Sequence, residues 1–354
     1  MVYETLLRAN ARFPRKGEGD IAVLKNGDLL LAYTEFYSGG SDFSPARIIK
    51  AVSRDNGRTW ENFETLQENV GKCNVMSVSL LRLKSGELAI FYLVKNSFSD
   101  CRVYMRKSFD EGETWSEPLL VTEEERYFVL NNDRVVQLSS GRIIVPVAVY
   151  QNPVNHSCWK SFIFYSDDGG ESWRKSSSEV ALRDIDSQAG LQEPGVVELK
   201  NGRLMMYMRA ALGYIYVSFS KDEGESWSRP EPLDDIKAPL SPSTIKRIPS
   251  TGDLLLVWND KSMFDLSRVE KRGADIVDKK FQRRTPLSCA VSRDEGVTWV
   301  KLLDLEDSRN YTYCYPSVTF KKDYIIFSYY FIDDKYAHLK IKVLTLSELY
   351  RKLL

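Results

Sequence analysis

Histidine is almost missing from this chain: His156 and His338 are the only two in 354 residues. So few, without acidic partners at ligand or triad spacing, give no zinc site and no histidine-based catalytic triad. Cysteine is sparse, odd in number and scattered: Cys73, Cys101, Cys158, Cys289 and Cys314, with no C-x-x-C. That excludes a disulfide framework or a metal knuckle and predicts reduced thiols in a cytoplasmic setting. No stretch reaches 18 apolar residues, so no membrane-spanning helix is expected. The opening MVYETLLRANARFPRKGEGD lacks an apolar core of signal-peptide length. An excess of one charge is missing too, with 49 Lys+Arg against 49 Asp+Glu. Nucleic acid and anionic membranes are therefore not expected partners. No calcium-loop ligand run is present, and no metal or cofactor is expected.

What the chain has is repetition. SRDNGRTW starts at residue 53, SFDEGETW at 108, SDDGGESW at 166, SKDEGESW at 220 and SRDEGVTW at 292. All fit S-x-D-x-G-x-[ST]-W, with spacings of 55, 58, 54 and 72 residues. A period of this size marks a repeat architecture. Before each box come a small or polar residue, a glycine and an apolar run, as in NGDLLLAYTEF and SGELAIFYLVK. That pattern is a hairpin turn feeding a strand. One strand precedes each turn, a third precedes the box and a short one follows it. Four antiparallel strands per repeat make a propeller blade. A sixth unit, YPSVTFKKDYIIFSYYFIDDKYAHLKIKVLTLSELY, lacks the box. The expectation is an all-β, six-bladed β-propeller of four-stranded antiparallel blades, forming a single domain over residues 1–354. The tail TLSELYRKLL reads as a short C-terminal helix, with Thr345 and Glu348 spaced as a capping box.

The boxes read as structural. Each Asp can accept backbone N–H bonds within a turn, each Gly can take positive φ, and each Trp can cover an edge. Five equivalent copies around a ring cannot all face one active site.

Five such boxes on a six-unit β pattern resemble the sialidase superfamily, the BNR or Asp-box proteins, from about residue 13 to 345. The chemistry this resemblance implies is cleavage of a sugar that carries a carboxylate beside its anomeric carbon. Arginines grip the carboxylate. An acid protonates the leaving oxygen. A tyrosine attacks, activated by a carboxylate. Matched by motif, TYCYPSVTF implies Tyr315 as nucleophile, with Tyr313 as the spare. LQEPGVVELKNGRLMMYMR implies Glu193 as the tyrosine's partner and Arg209 as a carboxylate ligand. RRTPLSCAVSRDEG implies Arg284, and YTEFYSGGSDFSPARI offers Asp42 as the acid.

The departure comes at the first strand, where the family's opening arginine is replaced by Glu18, Gly19 and Asp20 in RKGEGDIAVLKNG. Either Arg15 or Arg134 compensates, or the substrate is not an ordinary sialoside. Glu18 and Asp20 would then bind sugar hydroxyls. Asn74, Asn132, Asp133, Arg134 and Asp260, at strand starts and loops facing the same mouth, read as further sugar contacts. The function implied is an exo-acting retaining glycoside hydrolase removing a terminal acidic sugar, its partner a glycan or glycoside. The alternatives are a hydrolase or lyase for a uronic-acid or neutral sugar, and a non-catalytic carbohydrate-binding propeller.

Overall fold

A computed structural model describes residues 3–152 and 154–351. The fold is all-β with one short helix. Each repeat becomes an antiparallel meander because its strands differ in what they bury. The second strands, Leu29–Phe36 and Leu88–Lys95, are buried at every position. The strand after the first box, Glu61–Gln67, opens with four exposed positions. Apolar runs therefore lie inside a sheet and polar runs at its edge.

The chain divides into two compact units, residues 1–137 with 315–354, and residues 138–314. In the first unit, Asn74–Arg82, Leu88–Lys95, Cys101–Ser108 and Leu119–Leu120 form one four-stranded sheet. A larger, eight-stranded sheet holds Arg15–Val23, Leu29–Phe36, Ala46–Ser53 and Glu61–Gln67 beside the last repeat's Tyr324–Ile332 and Ala337–Thr345. One parallel pairing fuses these sets, that of Arg15 with Ala337, and a further strand adds to the last repeat. Tyr3–Leu7, not expected as a strand, pairs antiparallel with Ala337–Thr345. Among the described residues the strand order gives four four-stranded sheets, one eight-stranded sheet and one two-stranded ribbon, where the repeat count had suggested six separate blades.

The second unit contains the meander of Gln192–Glu198, Leu204–Arg209, Tyr214–Ser220 and Glu231–Lys237. Another is formed by Thr244–Arg247, Leu254–Asn259, Leu287–Ser292 and Val300–Glu306. The long spacing before the fifth box is an insertion between Asn259 and Leu287, which carries a ribbon of Lys271–Arg272 against Asp275–Ile276. The strand expected over RVVQLS is two residues, Val136–Gln137. The helix is Leu346–Leu349, and the capping box between Thr345 and Glu348 is present.

The boxes are turns, as their residues imply. Asp110 Oδ1 accepts from Thr114 N at 2.8 Å and Ser108 Oγ at 2.9 Å, and Oδ2 accepts from Thr114 Oγ1. Gly112 takes φ of 92°, and Trp115 Nε1 donates to its carbonyl. The bond from Thr114 Oγ1, then those from Thr114 N and Ser108 Oγ, hold the Asp110 carboxyl at about 2. The box also joins neighbours through its next residue. Glu111 accepts from Lys25 N at 2.7 Å and from both terminal nitrogens of Arg82 at 2.7 and 2.6 Å. Glu295 repeats this with Lys200 N and Arg247 in the second unit. Five acidic turns are thus one structural device.

Candidate functional site

The first strands of several sheets share a local distortion. The pairing register slips between Gly17 and Asp20, between Met76 and Ser79, and between Gln192 and Gly195. A polar residue lies left-handed at each slip: Glu18 at φ 47°, Ser77 at 60° and Glu193 at 48°. Asp133 (58°) and Tyr315 (58°) take the same conformation. A bulge of this kind re-aims one side chain at a sheet end, and non-glycine residues in this region mark strain kept for a purpose.

In the first unit these positions form a connected group. Arg15 lies between the rings of Phe36 and Tyr330, 4.4 and 5.2 Å from their centroids. Its Nε donates to Tyr330 Oη at 2.7 Å, Nη2 to Glu18 Oε1 at 2.5 Å and Nη1 to Asp42 Oδ1 at 2.5 Å. Tyr330 Oη also donates to Glu18 Oε1 at 3.3 Å, and Ser77 Oγ donates to Glu18 Oε2. Against the cost of burial, the Tyr330 hydroxyl and the Glu18 and Asp42 carboxylates hold the guanidinium's pKa well above its ordinary value. Tyr315 stands edge-on to Tyr330, ring centroids 5.8 Å apart at 87°.

Tyr315 is half-buried, whereas Tyr313 is 1% exposed. Burial first, then nearby Glu306, pushes the Tyr313 phenol far above its ordinary range. Its backbone is tied to Arg284 O and Asn259 Nδ2. Of the two candidate tyrosines, only Tyr315 is open to a ligand.

Asp42 is 62% exposed, on a loop fixed from below. Asn74 Nδ2 donates to the carbonyls of Asp42 and Ser44, both at 2.9 Å, and Lys95 Nζ donates to Asp42 O at 2.9 Å. Asn74 Nδ2 is therefore committed to positioning the loop, while its Oδ1 is buried without a hydrogen bond.

Other expected sugar contacts have structural work instead. Asp20 accepts from Ile21 N and Leu80 N, both at 2.8 Å, tying two sheets together. Asn132 Nδ2 donates to Gly19 O at 2.9 Å and Tyr315 O at 3.3 Å, bracing two bulges. Asp133 Oδ2 accepts from Val318 N at 2.8 Å. Arg134 is fully buried, with its backbone N–H on Ser79 Oγ. Of the two arginines offered as compensation, it is Arg15 that lies beside the tyrosines.

In the second unit, Arg209 Nη1 lies 3.0 Å from Glu193 Oε2, an ion pair off the hydrogen-bond line. Its Nε and Nη2 donate to Gln192 Oε1 at 3.2 and 2.8 Å. Arg284 Nη2 donates to Leu240 O at 3.1 Å. Asp260 is paired with Lys301 Nζ at 2.8 Å and bonded by Ser262. That pairing anchors a loop. Lys261 beside it is buried, and desolvation lowers its ammonium to about 8. Among the described residues no cluster of three or more His, Cys, Asp or Glu could hold a metal.

The sequence reading missed Tyr330, Ser77 and Gln192. Tyr330 was hidden in the apolar run YIIFSYYF and Ser77 in VMSVSLL. Gln192 had a signal, its place beside Glu193 at the start of a strand.

Comparisons with known proteins bear on the family and the fold. The model of the BNR repeat-like domain matches residues 74–327. The chain is 25% identical to a sialidase of Paraclostridium sordellii over 238 residues, 60% of this chain and 57% of that protein. Among solved structures, a Trypanosoma rangeli sialidase in complex with the inhibitor DANA superposes with a TM-score of 0.74 at 17% identity, over 96% of this chain and 56% of the other. A protein of unknown function from Dyadobacter fermentans matches at 0.76 and 18%, over 97% and 99%. The chain thus spans less than two thirds of those two sialidases, and the structural likeness gives the fold, a sialidase propeller. With the family model covering most of its length, this chain belongs to the BNR repeat-like, sialidase superfamily.

Proposed function

We propose that the chain is an exo-acting, retaining glycoside hydrolase of sialidase type that removes a terminal acidic sugar, sialic acid or a relative, from a glycan. The observation that carries this reading is Tyr315: left-handed, half-buried and edge-on to a tyrosine held by Arg15. Tyr315 Oη forms a bond to the anomeric carbon as the glycosidic C–O bond breaks, and Asp42 gives its proton to the leaving oxygen. The resemblance assigns the phenol's proton to Glu193. Water then attacks the same carbon, the Asp42 carboxylate takes its proton, and the tyrosine leaves. To act as acid, Asp42 must exchange its bond with Arg15 for one to the substrate. Arg209 and Arg284 are the proposed carboxylate ligands.

The test is release of 4-methylumbelliferone from its sialoside by wild type, Tyr315→Phe, Glu193→Gln and Asp42→Ala. Activity lost by at least a hundredfold in Tyr315→Phe, with fold intact by circular dichroism, supports the reading. Full activity in Tyr315→Phe removes it.

One observation favours a second reading, the Glu18 carboxylate bonded to Arg15. A carboxylate there suits a uronic-acid or neutral glycoside, cleaved by hydrolysis or as a lyase. A well-folded wild type that is inactive on the sialoside but active on one of those glycosides selects it.

A further inference from the structure

The Arg15 guanidinium has two edges that could grip an anion with paired N–H bonds. One edge is Nε with Nη2, the other Nη1 with Nη2. Tyr330 Oη occupies Nε, Asp42 Oδ1 occupies Nη1 and Glu18 Oε1 occupies Nη2. Glu18 Oε1 also lies 3.3 Å from Tyr330 Oη, which puts it on the Nε–Nη2 edge, and Nη1 donates to Gly40 O as well, at 3.4 Å. The two carboxylates differ in their freedom to leave. Asp42 is 62% exposed on a loop with adjacent glycines, Gly39 and Gly40. Glu18 is 3% exposed, fixed on a bulge, and its second oxygen is held by Ser77 Oγ. The ring centroids of Phe36 and Tyr330 lie 4.4 and 5.2 Å from the guanidinium carbon.

When Asp42 turns to a substrate, the Nη1–Nη2 edge is exposed. A ligand carboxylate arriving there meets a guanidinium whose charge is already offset by a fixed carboxylate of like sign. A hydroxyl or amide oxygen finds the same donors with no repulsion. From this geometry we propose that Glu18 sets the charge preference of this part of the site: it bars a sugar carboxylate from Arg15 and reserves this edge for an uncharged oxygen, a hydroxyl or amide carbonyl. The inference rests on the reading of the site as a sugar site. If the sugar is acidic, its carboxylate is bound by other residues.

The experiment compares the affinity of N-acetylneuraminic acid with that of its methyl ester, by calorimetry or ligand-observed NMR. The pair differs in charge and little else, so their ratio reports charge preference and is not moved by a general loosening of the fold. Glu18→Gln keeps the shape and removes the charge. It is expected to shift the ratio toward the acid by tenfold or more, about 1.4 kcal/mol. Adding Arg15→Met to Glu18→Gln is expected to abolish that gain. Arg15→Met alone leaves Glu18 without its counter-ion and is expected to shift the ratio toward the ester. Ser77→Ala, which loosens Glu18 but keeps its charge, is expected to leave the ratio unchanged.

No gain of acid over ester in folded Glu18→Gln overturns the proposal, including the case in which neither compound binds. A gain that persists when Arg15→Met is added also overturns it, and Glu18→Met, similar in length and uncharged, repeats the test should Glu18→Gln not fold. Failure of the glycosidase reading is seen elsewhere, in the response of catalysis to Tyr315→Phe.

Discussion

Gly17 is the residue on which the Arg15 group is most exposed to a small perturbation. It is not left-handed, so its backbone suits any residue. What makes it glycine is space. A Cβ built on Gly17 falls less than 3.0 Å from Cε1, Cζ and Cδ1 of Tyr330. Ordinary carbon contacts begin near ~3.5 Å, so the ring or the strand must move by roughly an ångström or more. The Tyr330 ring has little freedom to do so. It is buried, stacked under Arg15, hydrogen-bonded through its hydroxyl and met edge-on by Tyr315. Overpacking of this kind costs about 1–3 kcal/mol, and losing the bond to the charged Arg15 adds about 1.5–3 kcal/mol. Gly17→Ala is therefore expected to destabilise by about 3–5 kcal/mol, a large share of a domain's typical ~5–15 kcal/mol. The assay is thermal unfolding by circular dichroism with activity measured in parallel, and Gly27→Ala as control. Gly27 has φ of 90° and nothing within 4 Å of a built Cβ, so alanine there meets conformational strain alone, about 1–2 kcal/mol. In a Tyr330→Leu background, where the ring is gone, Gly17→Ala is expected to cost under about 1 kcal/mol, a coupling that only a direct clash produces. The argument is refuted if Gly17→Ala is no worse than Gly27→Ala, or if Tyr330→Leu does not relieve it.

Other perturbations follow from the same geometry. Asp110→Asn is expected to lower the unfolding temperature at pH 7. Because Asp110 is held at about 2, its contribution is present above the usual ~3.9 and lost as pH falls through about 2, so the variant should lose less stability than wild type between those values. Lys261, lowered by burial to about 8, destabilises the fold while charged. Between about 8 and the usual ~10.4 the unfolded chain binds more protons, so wild-type stability gains a rising component with pH there; Lys261→Met should remove it, as pH-dependent urea unfolding would show. Asn74→Ala releases the carbonyls of Asp42 and Ser44, and is expected to lower kcat on an accepted glycoside about tenfold with stability reduced by about 1–3 kcal/mol. An unchanged kcat would mean that this loop does not set the acid.

The repeated turns were legible in the sequence because their chemistry is local. Asp110, Gly112, Thr114 and Trp115 meet one another within a few residues, so eight letters specify the turn. Glu193 and Arg209 were legible as a pair for a similar reason: Gln192 faces Arg209 across one hairpin. The choice between Tyr315 and Tyr313 was not, since it depends on which phenol the neighbouring sheets cover. Nor was the role of Arg15, whose partner Tyr330 lies 315 residues away in sequence. The strand Tyr3–Leu7 escaped notice because its only support is a partner near the other end of the chain. Asp20, Asn132 and Asp260 show a different limit. Polar residues at strand ends are the expected sign of a ligand mouth, but buried backbone groups need partners too. Only coordinates separate the two uses.

The bulges explain how one repeated strand supplies different chemistry. Glu18, Ser77, Asp133, Glu193 and Tyr315 all occupy left-handed backbone. Each such residue carries about 1–3 kcal/mol of strain, so the five together rival the net stability of a domain. Strain on that scale persists only where neighbouring structure over-determines it. The sheets do so with buried second strands and with the backbone bonds of Asp20, Asn132 and Asp133. These bonds hold the bulges in place. Strained positions present a side chain, and the bonds around them, one of them from the strained Asp133 itself, fix the strain. Substitution at a strained position changes chemistry within a constant frame, and a glutamate can replace a cation at Glu18 without a new backbone. Arg15 then returns a positive charge three residues earlier, already neutralised. The chemistry presented in such a frame is set by which polar residue stands on each bulge and by what holds its charge.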